Sequence, residues 1–310
     1  MIGVVLGGGG GRAGRVACPR VQRAFVDRVT RLAGWLRRSH RVAVPSHGPV
    51  KVNLGSSLLA AEGWVNVDGA LSALVASWPT PALRLFYRLA GIRAHMSEAE
   101  YIEVLKRNRF VHHNLEYGIP LPDASADFAF ASHFLEHLSK AHGEHLVRET
   151  LRVLRPGGRF VFAGEPTTVG DWYARHLGRL TWKATGKVTH LPALRDRWSR
   201  PAAELDESSR AAALESVVDL HTFDPRELAA TALRAGAVDV HTVTEELTAA
   251  FLGWPVRTFE AAVNPHRLGR GWAMFAYRSW QQLSAVDRVL GRVLPQALFY
   301  NVLVTGTRPG

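Results

Sequence analysis

The sequence predicts an α/β fold in which helices cover both faces of a largely parallel sheet. Short apolar segments alternate with longer segments whose apolar residues recur at three- and four-residue spacing. Gly, Pro, Asn and Asp separate the two kinds of segment, as they do between strands and helices. Short, continuously apolar strands are typical of a sheet that is buried on both faces. A chain of 310 residues, 47% hydrophobic and 21% charged, is long enough for one large domain or a domain with a cap.

The expected elements follow in chain order. Strands are expected at residues 50–54, 65–68, 110–115, 127–132, 159–163, 238–243 and 299–306. Helices are expected over 20–38, within 69–108, before the Pro156-Gly157-Gly158 turn, and over 225–235 and 272–290. Ser97 and Glu100 have the spacing of a capping box, which places a helix start there. Residues 164–220 interrupt the alternation, and their length, tryptophans and basic residues predict a cap over a substrate.

Positive charge is concentrated at the start of the chain. The net charge is +11, and residues 1–50 contain nine arginines against one acid, Asp27. We expect residues 1–49 to form a basic extension, disordered over 1–19 and helical over 20–38, ahead of a domain at 50–310. The helix is amphipathic, which fits packing on the domain or peripheral contact with an anionic membrane. A secretory signal is not expected, and the predicted location is cytoplasmic.

The residues after the first two strands have the character of a nucleotide site. The sequence Asn53-Leu54-Gly55-Ser56-Ser57 follows the first strand, and a glycine there lets the backbone approach a ligand closely. Asp68 ends the second strand, where a carboxylate can accept hydrogen bonds from both ribose hydroxyls. An ordinary strand–turn–strand remains the other interpretation. The single cysteine, Cys18, excludes a disulfide framework and a cysteine-based zinc site.

A second polar cluster follows the fourth expected strand. Ser132, His133, Glu136 and His137 lie at its carboxyl end, where open α/β sheets bind their ligands. The pKa of an ordinary histidine lies near neutrality, so His133 is a candidate general base. The alternative is that His133 orders the loop or caps the next helix. On a helix, His133, Glu136 and His137 would share one face, which is also the spacing of a metal site.

Both stretches resemble the class I S-adenosylmethionine (SAM)-dependent methyltransferases of the type 11 small-molecule group. VNLGSS…GWVNVD is similar to the pattern NLGsG…GwvNvD. Residues 114–159 are similar to lPfpdnsfDvvyssHvLEHl…lrEvlRVLkPGGrl. The resemblance covers about 50–68 and 110–165. It implies a Rossmann-like, doubly wound, seven-stranded mixed sheet with an antiparallel last strand. The helical cap is expected from the insertion at 164–220 itself.

The resemblance also implies the residues that hold SAM. They are Asn53, Gly55, Ser56, Ser57, Asp68, Asn114, Leu115 and Ser132. Three departures from the family pattern stand out. Ser57 replaces the second glycine, and Asn114 replaces an acidic residue near the adenine. The segment between Gly55 and Asp68 is also shorter than the usual separation of about twenty residues, which leaves room for a helix of only a couple of turns.

The expected reaction is transfer of the SAM methyl group to a small molecule, with His133, Glu136 and His137 as catalytic candidates. A hydroxyl acceptor is favoured, on a sugar, a lipid-linked molecule or a phenol, and the basic residues suit an acidic acceptor.

The first alternative is an RNA methyltransferase. Relatives that act on small-RNA 3′ ends bind a divalent ion through a Glu-x-x-Glu-His element, and here His133, Glu136, His137 and His221 would hold it. Such ligands suit zinc, manganese or iron. The second alternative is a non-catalytic protein with this fold. A metal is not favoured.

Overall fold

The computed structural model describes residues 19–45, 47–89, 97–164, 225–248, 250–252, 255–256 and 269–310. Most of the stretch predicted to be disordered, most of the predicted cap and His221 lie outside these residues. The strands are β1 (Lys51–Leu54), β2 (Val65–Asp68), β3 (Arg109–His112), β4 (Ala126–Ser132), β5 (Leu154–Gly164), β6 (Val238–Glu245) and β7 (Asn301–Thr307). The helices are α1 (Pro19–Leu36), α2 (Leu71–Val75), α3 (Thr80–Leu89), α4 (Glu98–Arg107), α5 (Lys140–Val153), α6 (Pro225–Arg234) and α7 (Gly269–Leu290).

The strands form one seven-stranded mixed sheet in the order β3-β2-β1-β4-β5-β7-β6. Strand β1 pairs in parallel with both β2 and β4, and β2 pairs in parallel with β3. The last strand, β7, pairs antiparallel with β6. The order reverses at β1, which is the doubly wound arrangement. The predicted fold class, including the antiparallel last strand, is confirmed.

The chain divides into two compact units. The first holds the described residues up to Ser132, together with Glu144–Phe160 and Arg308–Gly310. Strand β2 is buried along its whole length, and β1 is buried over three of its four residues. An apolar cluster lies among the helices of this unit; its members are Leu58, Val75, Leu83, Tyr87, Tyr101 and Leu105. The predicted capping box starts α4: the Ser97 hydroxyl accepts from the Glu100 amide, and the Glu100 carboxylate accepts from the Ser97 amide at 2.8 Å.

The connection from β1 to β2 contains no helix. The expectation of a short helix between Gly55 and Asp68 is therefore wrong. Turns fill residues 55–64 instead, and the fully buried side chain of Asn66 holds them together. Its oxygen accepts from the Ala61 amide at 2.9 Å, and its nitrogen donates to the carbonyls of Ala61 and Trp64. A side-chain amide can satisfy backbone groups that a helix would otherwise pair, so a crossover this short remains stable.

The predicted turn at Pro156-Gly157-Gly158 lies within β5. Gly157 has φ +78°, the left-handed region that favours glycine. Gly158 has no room for a side chain, because a Cβ there would lie 2.8 Å from the Arg155 carbonyl oxygen and 3.2 Å from that of Ala126. Both glycines are therefore required by the backbone.

Glu149 and Arg152 form a part-buried clamp, whereas the sequence predicted only a surface ion pair. Their side chains are 14% and 22% exposed, and Arg152 Nε donates to Glu149 Oε1 at 2.7 Å. The Glu149 carboxylate also accepts from the Ile119 amide at 2.9 Å. Arg152 donates to the carbonyls of Ile119 and Leu121. The pair therefore holds the segment between β3 and β4, where Gly118 (φ +100°) passes so close that a Cβ would meet the Glu149 carboxylate.

Replacing Glu149 with Gln should lower the free energy of unfolding by about 2–3 kcal/mol, because the negative charge and one of the two oxygens that accept from Arg152 and Ile119 are lost. Burial raises the pKa of Glu149, but the Arg152 and Ile119 hydrogen bonds outweigh it and the net pKa lies below the ordinary 4.5. The stabilisation is thus complete above that value and is lost as the pH falls through the lower folded pKa. Urea unfolding between neutral and acid pH measures both effects.

The matched control is Glu103→Gln. Glu103 forms an exposed pair with Arg107 at 2.9 Å, and the side chains are 54% and 65% exposed. Its loss should cost no more than about 0.5 kcal/mol. If the two substitutions lower the free energy of unfolding equally, the Glu149 clamp contributes no more stability than an exposed ion pair.

The second unit holds His133–Gly143 and the described residues from Val161 to Thr307. Helix α6 ends at Arg234, and Gly236 follows with φ +97°, as the sequence predicted for a helix stop. Asp287 on α7 is fully buried and accepts from the amide and hydroxyl of Thr248, both at 2.7 Å. No helix of the described residues is long and apolar enough to cross a membrane.

Candidate cofactor-binding and active site

The carboxyl ends of four parallel strands bring most of the predicted cofactor residues to one edge of the sheet. Leu54 lies opposite Val67 in β2 and opposite Ala131 in β4. Asp68 lies opposite His112 in β3. The residues that come next on each strand therefore meet at the same edge; they are Gly55, Gly69, His113 and Ser132.

Asp68 joins the loop after β1 to the start of α2. Its carboxylate accepts from the Ser57 amide at 2.7 Å and from the Ala70 amide at 2.6 Å. The loop is fixed further by the Gly55 amide, which donates to the Val67 carbonyl at 2.9 Å. A carboxylate that ends a strand at this edge is the group that nucleotide-binding α/β folds use to accept hydrogen bonds from ribose hydroxyls. The geometry therefore fits a ribose at this edge.

The loop itself is tightly built. Asn53 is buried and donates to the Leu59 carbonyl at 3.1 Å and to the Asn66 side chain at 3.2 Å. Ser56 is also buried, at 3% exposure. Gly55 and Ser57 both have positive φ, +67° and +46°. Ser57 thus adopts the backbone conformation of the glycine that the family pattern has at its position.

Replacing Ser57 with Gly should raise the free energy of unfolding by about 0.5–1 kcal/mol. A left-handed residue with a Cβ costs about 1–2 kcal/mol, and the greater freedom of glycine in the unfolded chain offsets part of the gain. Thermal unfolding measures the change. The neighbouring substitution Ser56→Gly is the control, since Ser56 is not among the residues with positive φ. It should destabilise, and stabilisation by both would contradict the strain at Ser57.

Asn114 and Leu115 form a turn directly after β3. The Asn114 side chain accepts from the Glu116 amide and donates to the Glu116 carboxylate, both at 3.1 Å, which starts a short 3₁₀ helix at Leu115. Leu115 is buried at 1% exposure, so it belongs to the core beneath the turn. Helix α1 lies against the turn, because a Cβ on Gly34 would be 3.3 Å from the Asn114 Cβ.

Two histidines that the sequence did not single out lie at this edge. His112 and His113 are 5% and 1% exposed, and one ring nitrogen of each, Nδ1 and Nε2, has no hydrogen-bond partner. Burial, together with the positive charge of Arg41, lowers the pKa of His113 to about 4. Burial also lowers the pKa of His112. Both rings are therefore neutral at neutral pH. In the sequence, two consecutive histidines at the end of an apolar strand could have indicated that these residues lie at this edge.

His133, in the second unit, follows β4 directly and has a left-handed backbone with φ +50°. Its amide donates to the Ala163 carbonyl at 2.9 Å. Residues 135–137 form a single 3₁₀ turn, and α5 begins at Lys140. His133, Glu136 and His137 therefore do not share the face of an α-helix, because the left-handed residue interrupts the chain before the turn. Backbone strain of this kind concentrates at functional sites.

Comparison with known proteins identifies a family similar to part of the chain. The family model described as "Methyltransferase domain" matches residues 73–162, from α2 through β5. This part of the chain is similar to a methyltransferase domain. The seven-stranded order and the antiparallel β7 belong to the same class I SAM-dependent type that the sequence motifs implied, so the resemblance is confirmed. No curated protein matches the chain in sequence.

Several solved structures are similar to this chain at low sequence identity. Phosphoethanolamine N-methyltransferase 2 of Haemonchus contortus, in complex with phosphomonomethylethanolamine and S-adenosylhomocysteine, has 12% identity and a TM-score of 0.40. That match covers 94% of this chain and 53% of the other, so the chain spans about half the length of that protein. Geranyl diphosphate C-methyltransferase of Streptomyces coelicolor has 14% identity, coverage of 93% and 78%, and a TM-score of 0.41. A SAM-dependent methyltransferase of Thermotoga maritima has 14% identity, coverage of 93% and 98%, and a TM-score of 0.39.

The metal site considered for the methyltransferase has no counterpart among the described side chains. Within the part of the chain that the structure describes, no three His, Cys, Asp or Glu side chains are grouped to hold an ion. His221 and the side chain of Glu136 lie outside that part. The candidate set His133, Glu136, His137 and His221 therefore stays a prediction.

Proposed function

We propose that the protein transfers the methyl group of SAM to a hydroxyl of a small molecule. The observation that carries the proposal is the contact between Asp68 and the Ser57 amide, at the carboxyl ends of two adjacent parallel strands. It brings together the glycine loop and the acidic residue that a nucleoside requires. The match of residues 73–162 to a methyltransferase domain supports the choice of SAM over other nucleotides.

In this proposal the first unit holds the cofactor. The Asp68 carboxylate accepts hydrogen bonds from the ribose hydroxyls, while Asn53, Gly55, Ser56 and Ser57 shape the loop beside it. Asn114 has one amide hydrogen and one carbonyl lone pair beyond those in its turn, which suits the edge of an adenine. Leu115 supports that turn from the core, and Ser132 ends β4 at the same edge.

His133 is the proposed general base. When bound, SAM supplies an electrophilic methyl carbon that an acceptor oxygen can attack in line with the sulfur. The transfer would break the S–CH₃ bond, form the O–CH₃ bond and release S-adenosylhomocysteine. His133 takes the hydroxyl proton on its imidazole, which a ring with a pKa near neutrality can do without a metal. Glu136 and His137 are proposed to keep the turn after His133 in place.

The proposed acceptor is a sugar, a lipid-linked molecule or a phenol, with an acidic group favoured. The basic composition of the chain supports an acidic acceptor, since cationic surfaces raise the local concentration of anions. We propose a cytoplasmic location. If the acceptor is lipid-linked, the protein would work at a membrane surface, with residues 20–38 in peripheral contact.

A methyl-transfer screen tests this function. The full chain is incubated with SAM labelled in its methyl group and with separate pools of sugars, polyprenyl- or acyl-linked glycosides, and phenols. Label in a product whose new methyl carbon has the NMR shift of an O-methyl group supports the proposal. Label on nitrogen or carbon would contradict the hydroxyl acceptor. Transfer only to RNA, lost on addition of EDTA, would favour the metal-dependent alternative instead.

A further inference from the structure

Helix α1 presents an apolar face to solvent. Leu32, Trp35 and Leu36 are 58%, 50% and 64% exposed. Spacings of three and four residues place them on one side of the helix. Single exposed apolar side chains are common on protein surfaces, whereas groups of them on one face are typical of interaction sites. We call these three residues the outer face of α1.

The opposite side of α1 is already fixed to the first unit. Gly34 is buried against Asn114, with room for no more than a small side chain. Beyond the helix, Arg41 Nη1 donates to the Ile119 carbonyl at 3.1 Å, and the Val42 amide donates to the Pro120 carbonyl at 2.7 Å. These contacts attach α1 and the segment after it to the first unit through Gly34, Arg41 and Val42. The outer face is therefore not the side by which α1 packs on the first unit.

Positive charge surrounds the outer face. The exposed cationic residues of this region are Arg28, Arg31, Arg37 and Arg38. Residues 28–41 contain no Asp or Glu. The Arg38 guanidinium lies 4.3 Å from the Trp35 ring centroid and donates to the Trp35 carbonyl at 2.8 Å, so a cation and an aromatic ring are held together at the edge of the apolar face.

We infer that α1 docks on the surface of a bilayer that contains anionic phospholipid. Trp and Leu on one face with arginines at its borders are the composition of a helix that lies in the membrane interface. A second copy of the chain is a poorer occupant, since it would bring the same arginines together. A nucleic acid would pair with the arginines but would leave Leu32 and Leu36 in water. The inference goes beyond methyl transfer, because docking requires neither SAM nor acceptor.

Vesicle flotation tests the apolar face. The full chain, without SAM, is mixed with phosphatidylcholine vesicles or with vesicles that also contain phosphatidylglycerol. We expect binding to the anionic vesicles and an affinity lower by at least about tenfold in the variant L32S/W35S/L36S. The matched control is Leu85→Ser, on α3 of the same unit, since Leu85 is 60% exposed and the substitution is the same. It should bind as the unchanged chain does.

The charged border is tested separately with R28Q/R38Q, which should weaken binding to anionic vesicles by on the order of 10- to 100-fold. The inference is overturned by no flotation with anionic vesicles, by equal binding to both kinds of vesicle, or by equal binding of the three-residue variant. It is also overturned if that variant converts a dimer into a monomer in light scattering, which would show that a second copy covers the face. The variant L32S/W35S/L36S should still bind SAM. Retained SAM binding would show that the variant has lost membrane docking and not the proposed cofactor site.

Discussion

Replacement of His133 by Asn should lower kcat by about 100- to 10,000-fold and leave the affinity for SAM within about twofold. The imidazole is the proposed acceptor of the hydroxyl proton, and an amide cannot take that role. Asn is the informative substitution because it tolerates the left-handed backbone that His133 adopts at φ +50°. Ala would mix loss of the base with new backbone strain. Single-turnover rates with the acceptor found in the screen measure the effect.

The control for His133 is His241→Asn. His241 is an exposed residue of β6 in the second unit, and its loss should leave kcat unchanged. If His133→Asn binds SAM normally and has an unchanged kcat, His133 is not the base and its role is limited to ordering the loop.

Replacement of Asp68 by Asn should weaken SAM binding by about 100-fold. Hydrogen bonds to a charged acceptor contribute about 1.5–3 kcal/mol each, and the carboxylate is proposed to accept from both ribose hydroxyls. The substitution also weakens the contacts with the Ser57 and Ala70 amides, so some stability is lost with it. Equilibrium dialysis with labelled SAM, below the unfolding temperature of the variant, separates the two effects.

Asp127→Asn is the matched control for Asp68. The Asp127 carboxylate also accepts a backbone amide, that of Val50 at 2.7 Å, and it pairs with Arg155 at 2.9 Å. It lies near the start of β4, at the opposite end of the strand from the proposed cofactor edge. The control should lose stability but keep SAM affinity. Equal losses of affinity in both variants would attribute the Asp68 effect to general loosening of the fold.

The parts of the fold that local pattern determines were predicted well. Strand β2 has the predicted bounds, β4 differs by one residue at its start, and the capping box of Ser97 and Glu100 forms with both hydrogen bonds. These features depend on residues within a few positions of one another, through apolar runs and cap spacing. The order of the strands in the sheet could not be predicted from local pattern, and its prediction depended on the family resemblance.

Features that depend on distant contacts were missed. Asn66 replaces a helix in the β1–β2 crossover partly through the Arg109 carbonyl, 43 residues away in sequence. The Glu149 clamp similarly reaches the Ile119 amide, 30 residues away. Nothing in the spacing of either residue indicates such a partner. At the candidate site, the sequence placed Gly55 and Asp68 at one edge but did not predict the left-handed backbone of Ser57 and His133, because both are non-glycine residues.

The central claim is that this edge of the sheet binds SAM. Calorimetric titration of S-adenosylhomocysteine into the full chain near neutral pH tests it most directly, because binding requires no acceptor. The account predicts a single site with a Kd between about 1 μM and 1 mM, weakened in Asp68→Asn and unchanged in Asp127→Asn. No binding to a chain that unfolds cooperatively, or binding that Asp68→Asn leaves unchanged, would contradict it.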